Sequence, residues 1–148
     1  MNETKAFVDT NILVYAHETG TTEKHKKARQ LFQHCYEGKS QLLFSAQNLN
    51  EFFVVITQKV KEPLTAPEAF AIVSTILSFH GMKVCGVQPE YTLAAIQNHQ
   101  TTGVHFWDCL IAETAKANSV FTILTENTKD FQKISGIKAI NPFKQHTY

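Results

Sequence analysis

The stretch "KAFVDTNILVYA", residues 5–16, decides how the chain is read. A short apolar run ends in one carboxylate, Asp9, and Thr10 and Asn11 follow at once. Residues 5–9 do not alternate between apolar and polar, which is the pattern of a central strand buried on both faces. Residues 11–16 read as a short helical turn. The charge at the end of a buried strand has two readings. Asp9 caps the helix that follows, or it is the first ligand of a metal site.

The same pattern recurs along the chain. Thr21 or Thr22 caps a helix running to about Tyr36, with Ala28, Leu31, Phe32 and Cys35 on one face. Gly38 ends it, and "QLLFS", 41–45, is a second strand. "AQNLNEFFVVITQKV" is a helix with a stripe of Leu49, Phe52, Phe53, Ile56 and Val60, closed by Pro63. "TAPE", 65–68, is a capping box that starts a helix to about Ser78. Strand three is "MKVCGV", and Pro89 opens a helix over 89–100. A helix over 106–118 follows Gly103, then the strand "VFTILT", 120–125, and a fifth strand "GIKAI", 136–140. Short buried strands alternating with helices predict right-handed crossovers and an α/β fold whose parallel sheet is covered on both faces. Sites in such sheets form beyond the carboxyl ends of the strands. Asp9 lies at one such end, and Thr125, Glu126 and Asn127 lie at another.

Bulk properties narrow the class. A chain of 148 residues, 43% hydrophobic, predicts one domain over 1–148 with a substantial core. No basic-then-apolar leader opens it, and its longest apolar run, 52–56, is too short for a bilayer. A soluble, cytoplasmic protein without a membrane partner is expected. Three widely spaced cysteines, Cys35, Cys85 and Cys109, fit neither a disulfide framework nor a zinc site and predict buried thiols in a reducing compartment. The seven histidines show no metal-ligand spacing. The net charge of +1 gives no direct sign of nucleic acid. If four of the thirteen acids share a site, however, nine remain against fourteen Lys and Arg, and the rest of the surface carries +5.

Three further acids sit among apolar residues. Glu51 is early in the helix after strand two, Asp108 is in the first turn of "FWDCLIAETAK", and Asp130 follows strand four in "LTENTKDF". Singly, each has an ordinary reading: Asp9 and Asp108 as helix-start residues, Glu51 as a helix-surface residue, Asp130 as part of a turn or short helix. Together at one sheet edge they would repel and raise each other's pKa unless a cation sat among them. Oxygen-only ligands favour Mg²⁺ or Mn²⁺, ions suited to phosphodiester hydrolysis.

The segments "FVDTNILVYA", "SAQNLNEFF", "HFWDCLIAETAK" and "ILTENTKDF" closely resemble the four motifs of the PIN-domain ribonucleases, above all the VapC-type toxins of toxin–antitoxin pairs. The resemblance spans nearly the whole chain in order. It implies a three-layer α/β/α sandwich around a mostly parallel five-stranded sheet, and RNA cleavage dependent on Mg²⁺ or Mn²⁺. It also implies an antitoxin partner and a homodimer. By position, Asp9, Glu51 and Asp108 match the firmest acids of the family. Asp130 before Phe131 is favoured as the fourth, with Glu126 as its alternative and Asn127 where many relatives carry an acid. Thr10 and Thr125 match hydroxyl positions that orient carboxylates or water, and Asn11 matches a polar position supporting the first acid.

Other features have two sides. "EKHKKAR", 23–29, is a solvated helix face or a phosphate track through Lys24, Lys27 and Arg29. Lys59 and Lys61 present a weaker version. Trp107 either stacks on a base or packs in the core, and the core is the expectation. His105 lies near the site without a spacing that implies proton transfer. Two rival classes remain: a PIN-like module that binds RNA or protein without catalysis, and a phospho-accepting receiver domain. The receiver fits poorly, because Asp9 stands alone and strand three ends without an acid.

Overall fold

In the computed structural model, which describes residues 4–144, strands and helices alternate along the chain. The order is β1 (Thr4–Val8), α1 (Thr10–His17), α2 (Glu23–Tyr36), β2 (Ser40–Ser45), α3 (Ala46–Gln58) and α4 (Ala66–Ser78). Then come β3 (Met82–Cys85), α5 (Pro89–Thr102), α6 (Phe106–Ala117), β4 (Thr122–Leu124), α7 (Thr128–Phe131) and β5 (Lys138–Ile140). The five strands form one sheet in the order β3-β2-β1-β4-β5, and every neighbouring pair is parallel.

The alternation of side chains sorts two cores. Ala6, Val8, Leu42, Phe44, Met82 and Leu124 point to one face and meet Ile12, Leu13, Phe32, Phe52, Ile56 and Ile76 from α1 to α4. Phe7, Leu43, Cys85 and Ile123 point to the other and meet α5, α6 and Phe131 of α7. Two helical layers thus enclose the sheet, and its central strand β1 is buried on both sides. All three cysteines are buried. Among the described residues no helix is long and apolar enough to cross a membrane.

Local chemistry explains most boundaries. Thr22 caps α2 by accepting from the His25 N–H (3.1 Å). Thr65 and Glu68 close a reciprocal capping box on α4. Gly103, at φ 74°, ends α5 in the left-handed conformation that glycine adopts at little cost. Some elements differ from the sequence reading. Residues 10–17 form a full helix rather than a turn. Strand three ends at Cys85, because its one neighbour, β2, ends opposite it at Ser45. Strands four and five shrink to three residues each, 122–124 and 138–140, the length over which they pair. The helix over 46–60 stops at Gln58.

The topology places the site. β1 sits centrally, so its carboxyl end is flanked by the ends of β2 and β4. Asp9, Ser45 and Thr125 therefore emerge side by side, and α3 and α6 bring Glu51 and Asp108 to the same edge.

Candidate active site

Asp9 is the innermost acid. It is 7% exposed and stands directly after β1, with its N–H bonded to the Leu124 carbonyl (3.0 Å). It is also the N-cap of α1, accepting from the Thr10 N–H at Oδ1 (2.8 Å). Its other oxygen, Oδ2, accepts from the Thr125 hydroxyl (2.8 Å). Burial lifts its pKa from 3.8 to about 6, and the negative charges of Asp108 and Glu51 add to the rise. The two hydrogen bonds only partly offset this.

Glu51 is fixed from two sides. Thr10 Oγ1 donates to Oε2 (3.0 Å) and Gln47 Nε2 donates to Oε1 (2.5 Å). Thr10 in turn accepts from Asn48 Nδ2 (3.0 Å). Asn48 and Ser45 form the capping box of α3, with Asn48 Oδ1 accepting from the Ser45 N–H (2.8 Å). A chain of bonds thus runs from the end of β2 through Asn48 and Thr10 to Glu51. Gln47 and Asn48 were not legible as site residues, although the i,i+4 spacing of Gln47 and Glu51 and the Ser-x-x-Asn helix start were visible signals.

Asp108, in the first turn of α6, is half-buried and accepts from Asn127 Nδ2 (3.2 Å). Its pKa is raised, first by burial and then by the charges of Glu51 and Asp130. Asp130 lies on α7, 3.6 Å from Lys133. Glu126 turns elsewhere: it pairs with Lys24 at 2.6 Å, next to Tyr15. Asn127, one residue on, is the side chain that reaches Asp108. Asn11 is exposed, and the contacts to Asp9 come from Thr10 and Thr125.

The basic run is largely occupied. Lys24 holds Glu126, its ammonium 5.2 Å from the Tyr15 ring centre, and Lys27 donates to the Phe143 carbonyl (2.9 Å). Arg29 is exposed on α2. Trp107 is 52% exposed, which corrects the core-packing expectation: Cys109 and Leu110 fill the buried face of α6.

Asp108 and Glu51 act electrostatically on Asp9, and Glu51 and Asp130 act on Asp108. Among the described residues, however, no three acid, histidine or cysteine side chains stand as a ready-made metal cage. The donors are all oxygen, and burial, with a smaller part from neighbouring negative charge, disfavours the ionised form of Asp9 and Asp108, which a hard divalent cation would relieve. The residues present fit such an ion. Thr125→Val is expected to cost about 1–3 kcal/mol, because it unpairs Asp9 Oδ2 and the Asn127 N–H at a fully buried position. Urea denaturation in chelator checks it.

Residues 6–137 match the PIN domain, and the chain belongs to that family. No curated protein matches the sequence at a significant level. Among solved structures the chain is similar to a toxin–antitoxin complex from Klebsiella pneumoniae, at 22% identity, TM-score 0.63, covering 93% of this chain and 97% of that one. It is similar to VapBC2 from Rickettsia felis, bound to a DNA fragment from its promoter, at 20% identity, TM-score 0.66, covering 93% and 98%. It is also similar to the Mycobacterium tuberculosis toxin VapC20, which cleaves the sarcin-ricin loop, at 16% identity, TM-score 0.60, covering 80% and 86%. At these identities the likeness is one of fold.

Proposed function

We propose that the chain is a divalent-cation-dependent endoribonuclease and the toxin of a toxin–antitoxin pair. The observation that carries this reading is Asp9: a carboxyl buried at the carboxyl end of the central strand, within the fields of Asp108 and Glu51. A structural cap alone would not need two more acids from α3 and α6 beside it. Asp9, Glu51, Asp108 and Asp130 would hold Mg²⁺ or Mn²⁺, which supplies an activated water and stabilises the charge developing on the leaving oxygen. The chain's own part is positional. Thr125 and the Thr10 N–H fix the Asp9 oxygens, and Gln47 and Thr10 fix Glu51. Asn127 orients Asp108.

The toxin role draws on the family membership and on the toxin–antitoxin proteins that share the fold. It implies an antitoxin that covers the acid site and, by the family resemblance, a second copy of the chain. Phe70, Leu77 and Leu93 expose large apolar side chains that such partners would bury. Cleavage of single-stranded RNA by the purified chain tests the reading. Cleavage with Mg²⁺ or Mn²⁺ should stop in chelator and in Asp108→Asn. Equal cleavage by parent and Asp108→Asn would refute it.

A further inference from the structure

A cleft of about 710 Å³ opens beside the acids and shares Glu51 and Asp108 with them. Its walls carry Trp107, His105, Asn50 and Val87. Trp107 is the chain's one tryptophan, and half of it faces solvent. Its ring is braced by Phe106, edge to face, with centroids 5.1 Å apart and planes at 71°. Its carbonyl accepts from Gln47 Nε2 (3.2 Å). The indole is therefore an exposed aromatic surface held by its neighbours. Gln47 adds a polar signal. Both partners of its Nε2 are acceptors, which fixes the amide's orientation and leaves its buried Oε1 without a partner among the described residues.

The charge of the lining selects the occupant. It contains two carboxylates and no Lys or Arg. A phosphate placed there would be repelled, whereas a flat neutral ring would not. Trp107 offers that ring a stacking face, and the Asn50 amide and His105 imidazole offer donors and acceptors at its edge.

We propose that this cleft takes one unpaired RNA base next to the scissile phosphate, stacked on Trp107 and contacted at its edge by Asn50 and His105. The inference rests on the ribonuclease reading and deepens it. It makes the substrate single-stranded or looped at the cut, because a base in a duplex is already stacked and paired.

Trp107 is its own probe. Stopped-flow mixing with Mg²⁺ and short single-stranded ribo-oligonucleotides should quench its fluorescence before cleavage. A duplex of the same sequence, or a strand made abasic throughout, should not. Equal quenching by the abasic strand, or none by any single strand, overturns the proposal. So does quenching by a cationic peptide alone, which would make the cleft a protein-docking site. Trp107→Ala should raise KM about tenfold with a smaller change in kcat, and Trp107→Phe should recover most of the loss. Unchanged KM in Trp107→Ala also overturns it. The two readings fail separately. Cleavage without quenching removes the base subsite and leaves the ribonuclease; quenching without cleavage of any RNA leaves a base-binding cleft and removes the ribonuclease.

Discussion

Asp9→Asn should make the metal-free protein more stable at neutral pH while slowing RNA cleavage about a hundred- to a thousandfold, the loss typical of removing one transition-state stabiliser. The stability gain follows from linkage. The Asp9 carboxyl has a pKa of about 6 in the folded chain against 3.8 as a free side chain. The folded state therefore holds this proton more tightly than the unfolded one. Stability from this group is present at low pH and is lost as pH rises from about 4 through 6. Above that window, keeping Asp9 ionised costs about 3 kcal/mol. Asparagine removes the charge and keeps an acceptor for the Thr10 N–H, while its amide can donate to Thr125 Oγ1. The expected gain at pH 7.5 is about 2 kcal/mol, shrinking to about half at pH 5. Urea denaturation in chelator at both pH values measures it. A destabilised variant would mean that Asp9 is a structural cap whose charge the fold requires.

Cleavage by the parent protein should fall at least about tenfold between pH 7 and pH 5 at a fixed, limiting metal concentration. Asp9 must be ionised to hold a cation, and its pKa lies near 6 without one. Burial raises the Asp108 carboxyl in the same direction. More metal should move the limb to lower pH, because the cation displaces the Asp9 proton. Rates measured across pH at two metal concentrations check this. A flat profile from pH 5 to pH 7 would separate the buried acids from the chemistry.

Much of the fold was legible because helix boundaries here carry their own chemistry. Thr22, Thr65 with Glu68, and Gly103 mark boundaries by local hydrogen bonding or backbone freedom. The sheet order was not legible, since nothing local says that β1 lies between β2 and β4. That order is what gathers the carboxyl ends and gives Asp9 its neighbours. Glu126 and Asn127 show the limit most clearly. They are adjacent and both polar, yet Lys24, a hundred residues away, draws one aside while the other reaches Asp108. The partners of the basic run were not legible for the same reason: Lys24 bonds Glu126 and Lys27 bonds the Phe143 carbonyl, both distant in sequence. Trp107 misled because an aromatic beside a buried helix face reads as core, and only the packing of α6 shows which way it turns.

If these carboxylates form a divalent-cation site, Asp9 is its innermost ligand. Calorimetric titration of Mn²⁺ into the metal-free parent and into Asp9→Asn at pH 7.5 tests it most directly. Binding to the parent is expected in the millimolar range or tighter, and at least about tenfold weaker in the variant. No binding to a folded parent, or equal binding to both proteins, would contradict it and favour a PIN fold that binds without cutting.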